Sequence, residues 1–374
     1  MTMWIIIMWT VIAVVIAALF YLGARVPNLI KIENIEEWSN FKQFSLGLLI
    51  TLGFSGIIVL CIDFVNAIVC IIYVAMIWGI CDFSFWMIEK FTNITFDHYW
   101  AGWLALIIST IALCVGWYIN HNVVQTNYEL TTNKNIPNLK IAMFADVHIG
   151  TTFNADGFAK HLENIQQQNP DIVVVVGDYV DDSTTKEDMI NATKALGKLK
   201  TKHGIYFVFG NHDKGYYGSR HRGFSADDLI DELNKNNIKV LLDESVLIND
   251  AFYIIGRRDY SVFREQKGLR KSASELVKNL DKNKYMIVLD HQPTEFNEKA
   301  DANVDLVLCG HTHGGQLFPF NKIGKWIKAN DLIYGLERRK NTDFIVTSGI
   351  SDWAIKFKTG TKSEFVIINI RKGN

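Results

Sequence analysis

Four long apolar runs fill the first 120 residues, and they constrain the fold more than any other feature of the chain. Trp4 to Leu22 carries no charge and is long enough to cross a hydrocarbon core of ~30 Å at ~1.5 Å per residue. A cleaved leader fits poorly, because no basic residue precedes the run and Gly23-Ala24-Arg25-Val26-Pro27 follows it without a small-x-small pattern. The next run, Phe44 to Met87, is too long for one crossing. Asp63 and Asn66 near its middle mark a turn, which predicts spans at Phe44–Ile62 and Phe64–Cys81. The fourth span, Trp100–Ile119, has Tyr99, Trp100, Trp103, Trp117 and Tyr118 at its ends, where amphipathic rings suit a bilayer interface. Residues 1–120 are therefore expected to form an all-α, four-helix transmembrane region.

Four crossings return the chain to the side on which it began. Arg25, Lys31 and Lys42 lie between the first two spans and Lys90 between the last two. The other face has no Lys or Arg until Lys134 and Lys140. That balance favours a downstream domain outside the cytoplasm. Asp63 and Asp82 are expected at a bend and at a span end, wetted at the interface, with no intramembrane partner charge to make a transport path.

Downstream the chain changes character, and charged amphipathic segments alternate with strand-like runs. Residues 121–137 are expected to be a linker, its end marked by the polar TTNKNIPN of Thr131 to Asn138, and residues 138–374 one domain. Only Cys309 lies in that domain, so no disulfide framework or zinc finger is available and the core must hold itself. A formal charge of -1 with interspersed signs argues against a dedicated nucleic-acid binder.

Lys140–Asp146, Asp171–Gly177, Gly204–Gly210, Tyr285–Asp290 and Val304–Cys309 read as strands, and the unbroken β-branched runs predict strands covered on both faces. Helices are expected at Ala155–Gln168, Lys186–Lys200 and Ser225–Asn236, the last with Ser225 as N-cap and Asp228 three residues on. After Asp243 strand pairs appear (Val246–Ile248, Phe252–Gly256, then Phe344–Ser348 and Glu364–Ile370). They are expected to form a second sheet packed on the first.

Five polar clusters follow these strands: Asp146-Val147-His148, Gly177-Asp178, Gly210-Asn211-His212-Asp213, His291, and Gly310-His311-Thr312-His313. The end of a strand is where open α/β sheets place their sites. Asp146, His148, Asp178, Asn211, His291, His311 and His313 supply oxygen and imidazole donors in the number two divalent cations need if one carboxylate bridges them. Asp-x-His alone is weak, and Gly-Asp alone is usually a turn; the ordered combination carries the expectation. His212, with Asp213 as its candidate carboxylate partner, is placed to donate to a phosphoryl oxygen.

The Asp-x-His, Gly-Asp-x-x-Asp, Gly-Asn-His-Asp, single His and Gly-His-x-His motifs, in this order over residues 138 to 370, resemble the calcineurin-like metallophosphoesterase superfamily. Gly310 to Gln316 and the closing segment look like its membrane-associated bacterial branch of phosphodiesterases similar to YkuE and YaeI. The resemblance implies a four-layer αββα sandwich with two divalent ions (Mn, Fe or Zn). Asp146, His148 and His313 would hold one, Asn211, His291 and His311 the other, with Asp178 between them, His212 as substrate-facing acid and Asp181 structural. It implies a metal-dependent phosphoric ester hydrolase in a bacterial cell membrane, acting through attack of a metal-bridging hydroxide on a phosphate ester. A nucleotide-sugar-lipid pyrophosphatase is the alternative chemistry. A metal-free scaffold is disfavoured because no ligand is missing. Lys214–Phe224 and Leu317–Arg339 mix basic and aromatic residues at positions expected to line the mouth, which fits either recognition of a membrane lipid as the phosphate-ester substrate or ordinary solvated loops with a few anchoring aromatics.

Overall fold

The computed structural model describes residues 2–30, 38–265 and 270–373, so Lys31 lies outside the described residues. The chain divides into two compact units, one ending at Trp117 and the other Tyr118–Asn374.

The first unit consists of helices α1 (Thr2–Arg25), α2 (Asn40–Cys61), α3 (Phe64–Thr92) and α4 (Trp100–His121). All four are long and apolar enough to cross a membrane. Asp63 is the N-cap of α3, accepting from the backbone and side-chain nitrogens of Asn66 at 2.8 Å, as a turn residue should. Asp82 differs from expectation. No Gly or Pro follows Cys81, so α3 runs eleven residues further, until Asn93 adopts the left-handed conformation. Asp82 therefore sits inside the helix, where it pairs with Arg25 at 2.9 Å and accepts from the hydroxyls of Tyr21 and Tyr99 at 2.6 Å.

The second unit is built on two six-stranded sheets. The first has the order β1-β12-β2-β3-β4-β5: β1 (Val124–Thr132), β2 (Leu139–Phe144), β3 (Ile172–Val176), β4 (Ile205–Val208), β5 (Ile238–Val240) and β12 (Glu364–Lys372). The second has the order β10-β11-β9-β8-β7-β6: β6 (Glu244–Ile248), β7 (Phe252–Gly256), β8 (Tyr285–Leu289), β9 (Leu306–Cys309), β10 (Gly335–Arg339) and β11 (Thr342–Val346). Neighbouring strands β2 to β5 are parallel, as are β7, β8, β9 and β11.

Alternating side chains explain the layers. Val173 and Val175 of β3 face a core shared with helices α5 (Ala155–Gln167) and α6 (Lys186–Leu196), whereas Ile172, Val174 and Val176 face the second sheet. In β9, Leu306 and Leu308 meet the first sheet. Val307 and Cys309 meet Phe296 and Ala300 of the helix Phe296–Asp301 on the outer side. The result is helix, sheet, sheet, helix, with each fully buried Val or Leu contributing roughly 1.5–3 kcal/mol. The helix Ala226–Lys235 begins with the expected capping box of Ser225 and Asp228.

Two local expectations are corrected. The 121–137 segment contains β1, which pairs with β12 along its whole length rather than linking freely. The closing strand β12 joins the first sheet, not the second, because its two faces, Phe365 and Ile367 against Val366, Ile368 and Ile370, match the cores on either side of β2. Conversely, β8 and β9 belong to the second sheet.

Candidate metal centre

All seven candidate ligands stand just beyond the C-terminal ends of their strands. Asp146 and His148 follow β2, Asp178 follows β3 and Asn211 follows β4, all from the first sheet; His291 follows β8 and the His311–His313 pair follows β9, from the second. Two groups result, Asp146 with His148 and His313, and Asp178 with His291 and His311. In each, one donor atom per residue lies within 4.8 Å of the others. Both groups draw on both sheets.

Asp178 lies at the border of the two groups. Its Oδ2 is 3.0 Å from His291 Nε2 and 3.8 Å from His148 Nε2. The loop after β4 is tied to it, since the His212 N–H donates to Asp178 Oδ1 at 2.8 Å. Burial would raise the Asp178 carboxyl, yet the imidazoles of His291, His212 and His148 hold it well below the usual range. Burial, with His291 beside it, pushes His311 down to about 3.

The outer nitrogen of each buried imidazole is held from behind. His148 Nδ1 faces Asp181 Oδ2 at 3.3 Å, His291 Nδ1 donates to the Val176 carbonyl at 2.7 Å, and His313 Nδ1 donates to the Ser351 carbonyl at 3.3 Å and faces Asp352 Oδ1 at 3.0 Å. This leaves Nε2 of each ring turned inward, the arrangement that orients imidazole for a cation. Among the described residues His148 Nε2 and Asn211 Oδ1 are buried without a hydrogen-bond partner, and His291 Nε2 has only the Asp178 carboxylate, at 3.0 Å. The Asn211 amide is oriented by Tyr216, whose hydroxyl takes its Nδ2 at 2.8 Å. Such orphaned acceptors are costly unless a cation meets them. The residues therefore fit a pair of divalent ions.

The backbone is adapted to this purpose. Asp146, His148, Asp178, His311 and His313 all have positive φ, a conformation costly for side-chain-bearing residues and concentrated at functional sites. Gly177 makes room for it. Its φ is 79°, and a Cβ there would lie 2.6 Å from His291 Nδ1.

His212 is found near the groups, its ring 4.9 Å from that of His148, 5.1 Å from Tyr216 and 5.3 Å from Trp353. Burial lowers its imidazole to about 4. Asp213 is not its partner. The Asp213 carboxylate accepts from the backbone nitrogens of Asp178, Tyr179, Val180 and Gly210 at 2.7–3.0 Å, and His212 Nδ1 has no hydrogen-bond partner. Four fixed donors saturate the carboxylate, so Asp213 splices the loops after β3 and β4 and leaves the imidazole alone.

Asp181 takes the supporting position expected of it, and Gln316 orders its turn by donating to the Ile355 carbonyl at 2.9 Å. Sequence reasoning missed Asp352 and Trp353. The strand-end rule that found the others points to them as well, because Thr347 to Trp353 follows β11, the neighbour of β9.

Residues 139–315 match the family described as calcineurin-like phosphoesterase. An uncharacterized metallophosphoesterase of Campylobacter jejuni is 30% identical over 279 residues, covering 72% of this chain and 69% of that protein. The uncharacterized metallophosphoesterase YkoQ of Bacillus subtilis is 30% identical over 60% of this chain and 81% of its own. A transmembrane protein with metallophosphoesterase domain from Danio rerio is 27% identical over 72% of this chain and 62% of that protein. The chain spans 60% of a similar Helicobacter pylori metallophosphoesterase. With the fold, the ligand order and these relatives in agreement, the chain belongs to the calcineurin-like phosphoesterase family, whose members are metal-dependent phosphoric ester hydrolases.

Proposed function

We propose that the chain is a membrane-anchored phosphodiesterase with a dinuclear centre, held by Asp146, His148 and His313 on one side, by Asn211, His291 and His311 on the other, and by Asp178 between them. The observation that carries this reading is the pair of carboxylate–imidazole groups meeting at Asp178, together with His148 Nε2 and Asn211 Oδ1, which are buried with no hydrogen-bond partner among the described residues. Two bound divalent ions would supply Lewis acidity and a water nucleophile at neutral pH. The chain's own residues do the rest. Asp181, Asp352 and the Val176 carbonyl fix the imidazoles, and His212, neutral at pH 7, offers an N–H to a phosphoryl oxygen and gains a proton only beside an anionic ester.

Asp178→Asn and His311→Ala should each abolish hydrolysis of bis-p-nitrophenyl phosphate and lower bound metal, with the circular dichroism unchanged. Full activity in either variant, or wild-type protein purified with no divalent metal and no hydrolysis, would sink the proposal.

Membrane anchoring is supported by the four long apolar helices and by relatives named as transmembrane proteins. Confinement to a membrane favours a lipid-linked phosphate ester as substrate. A hydrolysis screen over phospholipids, nucleotide-lipid diphosphates and soluble nucleotides checks this, and preference for the soluble nucleotides would remove the lipid. The Lys and Arg balance at the span ends supports a catalytic unit outside the cytoplasm, and protection from added protease in intact cells would refute it.

A further inference from the structure

The segment after the His311–His313 pair exposes more apolar surface than any loop needs. Between Phe318 and Ile327, Phe318 is 60% exposed, Phe320 45%, Ile323 40%, Trp326 69% and Ile327 54%. Scattered exposed hydrophobics are ordinary in soluble proteins; five large ones in ten residues are not.

Their spacing is ordered. Phe320–Lys322 forms one 3-10 turn and Ile323–Trp326 follows it directly as one α turn. Residues three apart share a side of such turns, so Phe320, Ile323 and Trp326 form one row and Lys322 and Lys325 a second beside it, with Lys328 just past the turn at a positive φ of 56°. All three lysines are exposed, and no carboxylate pairs with them among the described residues.

The segment is also held in place by its ends. Thr359 and Gly360 donate their backbone N–H groups to the Gln316 carbonyl at 2.9 and 2.8 Å, and the Thr359 hydroxyl accepts from the Phe318 N–H at 3.0 Å. At the far end the Thr312 hydroxyl donates to the Ile333 carbonyl at 2.5 Å, and the Asp331 N–H donates to the Pro293 carbonyl at 2.9 Å. The two rows thus project from a loop whose feet stand on the ligand-bearing segment.

An apolar row beside a basic row is the pattern of an element lying in a lipid interface, with aromatic side chains among the acyl chains and ammonium groups at anionic head groups. A bilayer is available to this chain, because α1 to α4 are long and apolar enough to cross one. We infer that the Phe318–Lys328 segment docks on an anionic lipid surface and holds the mouth of the metal centre at the plane of the head groups. The inference rests on the membrane-anchored reading above and adds the surface through which the catalytic unit meets lipid.

The test uses the full chain reconstituted in nanodiscs of phosphatidylcholine with phosphatidylglycerol. p-Benzoylphenylalanine is introduced in place of Trp326, or in place of Leu247 on β6 as an exposed control, and photolysis products are read by mass spectrometry. Lipid adducts at position 326 should exceed those at 247 by about fivefold or more, and should fall when phosphatidylglycerol is omitted, as three lysines beside anionic head groups require. Equal yields at the two positions, yields indifferent to phosphatidylglycerol, or adducts to a second protein chain in place of lipid would overturn the docking. Hydrolysis of bis-p-nitrophenyl phosphate by the same samples reports the metal centre separately. A chain that stays in the aqueous fraction without detergent would refute the anchoring and the docking together, whereas an embedded chain without adducts at 326 refutes the docking only.

Discussion

Asp352 Oδ1 lies 3.0 Å from His313 Nδ1 and 3.1 Å from Lys358 Nζ, with all three residues buried. A carboxylate behind an imidazole fixes the direction of the ring, so an ion held by His313 would depend on a residue that never touches it. Asp352→Asn keeps the shape and removes the charge. Metal affinity should fall about 10–100-fold while the fold persists, as checked by metal titration after chelator treatment; unaltered affinity would show that Asp352 serves only to neutralise Lys358.

Among the described residues no side chain hydrogen-bonds His212 Nδ1, which makes the role of His212 readable through the leaving group. If it donates to the departing oxygen, His212→Asn should slow an alkyl phosphodiester about 10²–10⁴-fold but a p-nitrophenyl ester only about tenfold or less, since p-nitrophenolate leaves unaided. Steady-state rates on the two esters decide it. Equal losses would make His212 a binding group instead.

Beneath His291, the buried Asp290 carboxylate faces Lys299 Nζ at 2.6 Å, Arg270 at 2.8 Å and Arg257 at 3.4 Å. Burial opposes its charge, but these three cations hold it well below the ordinary carboxylate range. Asp290→Ala takes the carboxylate from the buried Lys299, while Arg257 and Arg270 keep Glu295 and Glu298, and should cost about 3–5 kcal/mol. Thermal unfolding of the detergent-solubilised chain should show a clearly lowered midpoint, and a wild-type midpoint would contradict it.

Asp181 gives a pH dependence with a definite sign. Burial raises its carboxyl, the His148 imidazole and Ser183 outweigh that, and the group ends at about 2. Because the folded value lies below the unfolded ~3.9, its contribution, on the order of 2 kcal/mol, is complete above pH ~4 and is lost as pH falls through about 2. His148 is raised, against burial, by Asp181, Asp178 and Asp146, and so acts with the opposite sign as pH climbs. Comparing chelator-treated wild type with Asp181→Asn below pH ~6 isolates the aspartate. The stability gap should be steady down to pH ~4 and close towards pH ~2; a gap that stays open would place the carboxylate's effect elsewhere.

Much of this was legible in the residues alone. Asp146, His148, Asp178, Asn211, His291, His311 and His313 stand where local patterns put them, because a β-branched run ending in Gly or a polar residue marks a strand terminus through nearest neighbours only. The four apolar runs are equally local, since length and lack of charge are properties of a segment. α3 extends past the Cys81 end that local pattern predicts for a related reason. A charged Asp82 marks a span end by local pattern, but Arg25, Tyr21 and Tyr99 satisfy it from distant positions.

What the sequence by itself determined, then, is which donor types the chain has, their order, and the strand end each occupies. The tertiary structure decided the rest. It set β8 and β9 in the second sheet and β12 in the first, so that His313 meets Asp146 and His148, and His291 and His311 meet Asp178, across the seam between the sheets. It also gave Asp213 four backbone donors in place of His212, and placed Asp352 behind His313. The physical reason is the same in each case. Strand pairing and side-chain partnership depend on contacts between residues far apart in the chain, which local periodicity does not encode.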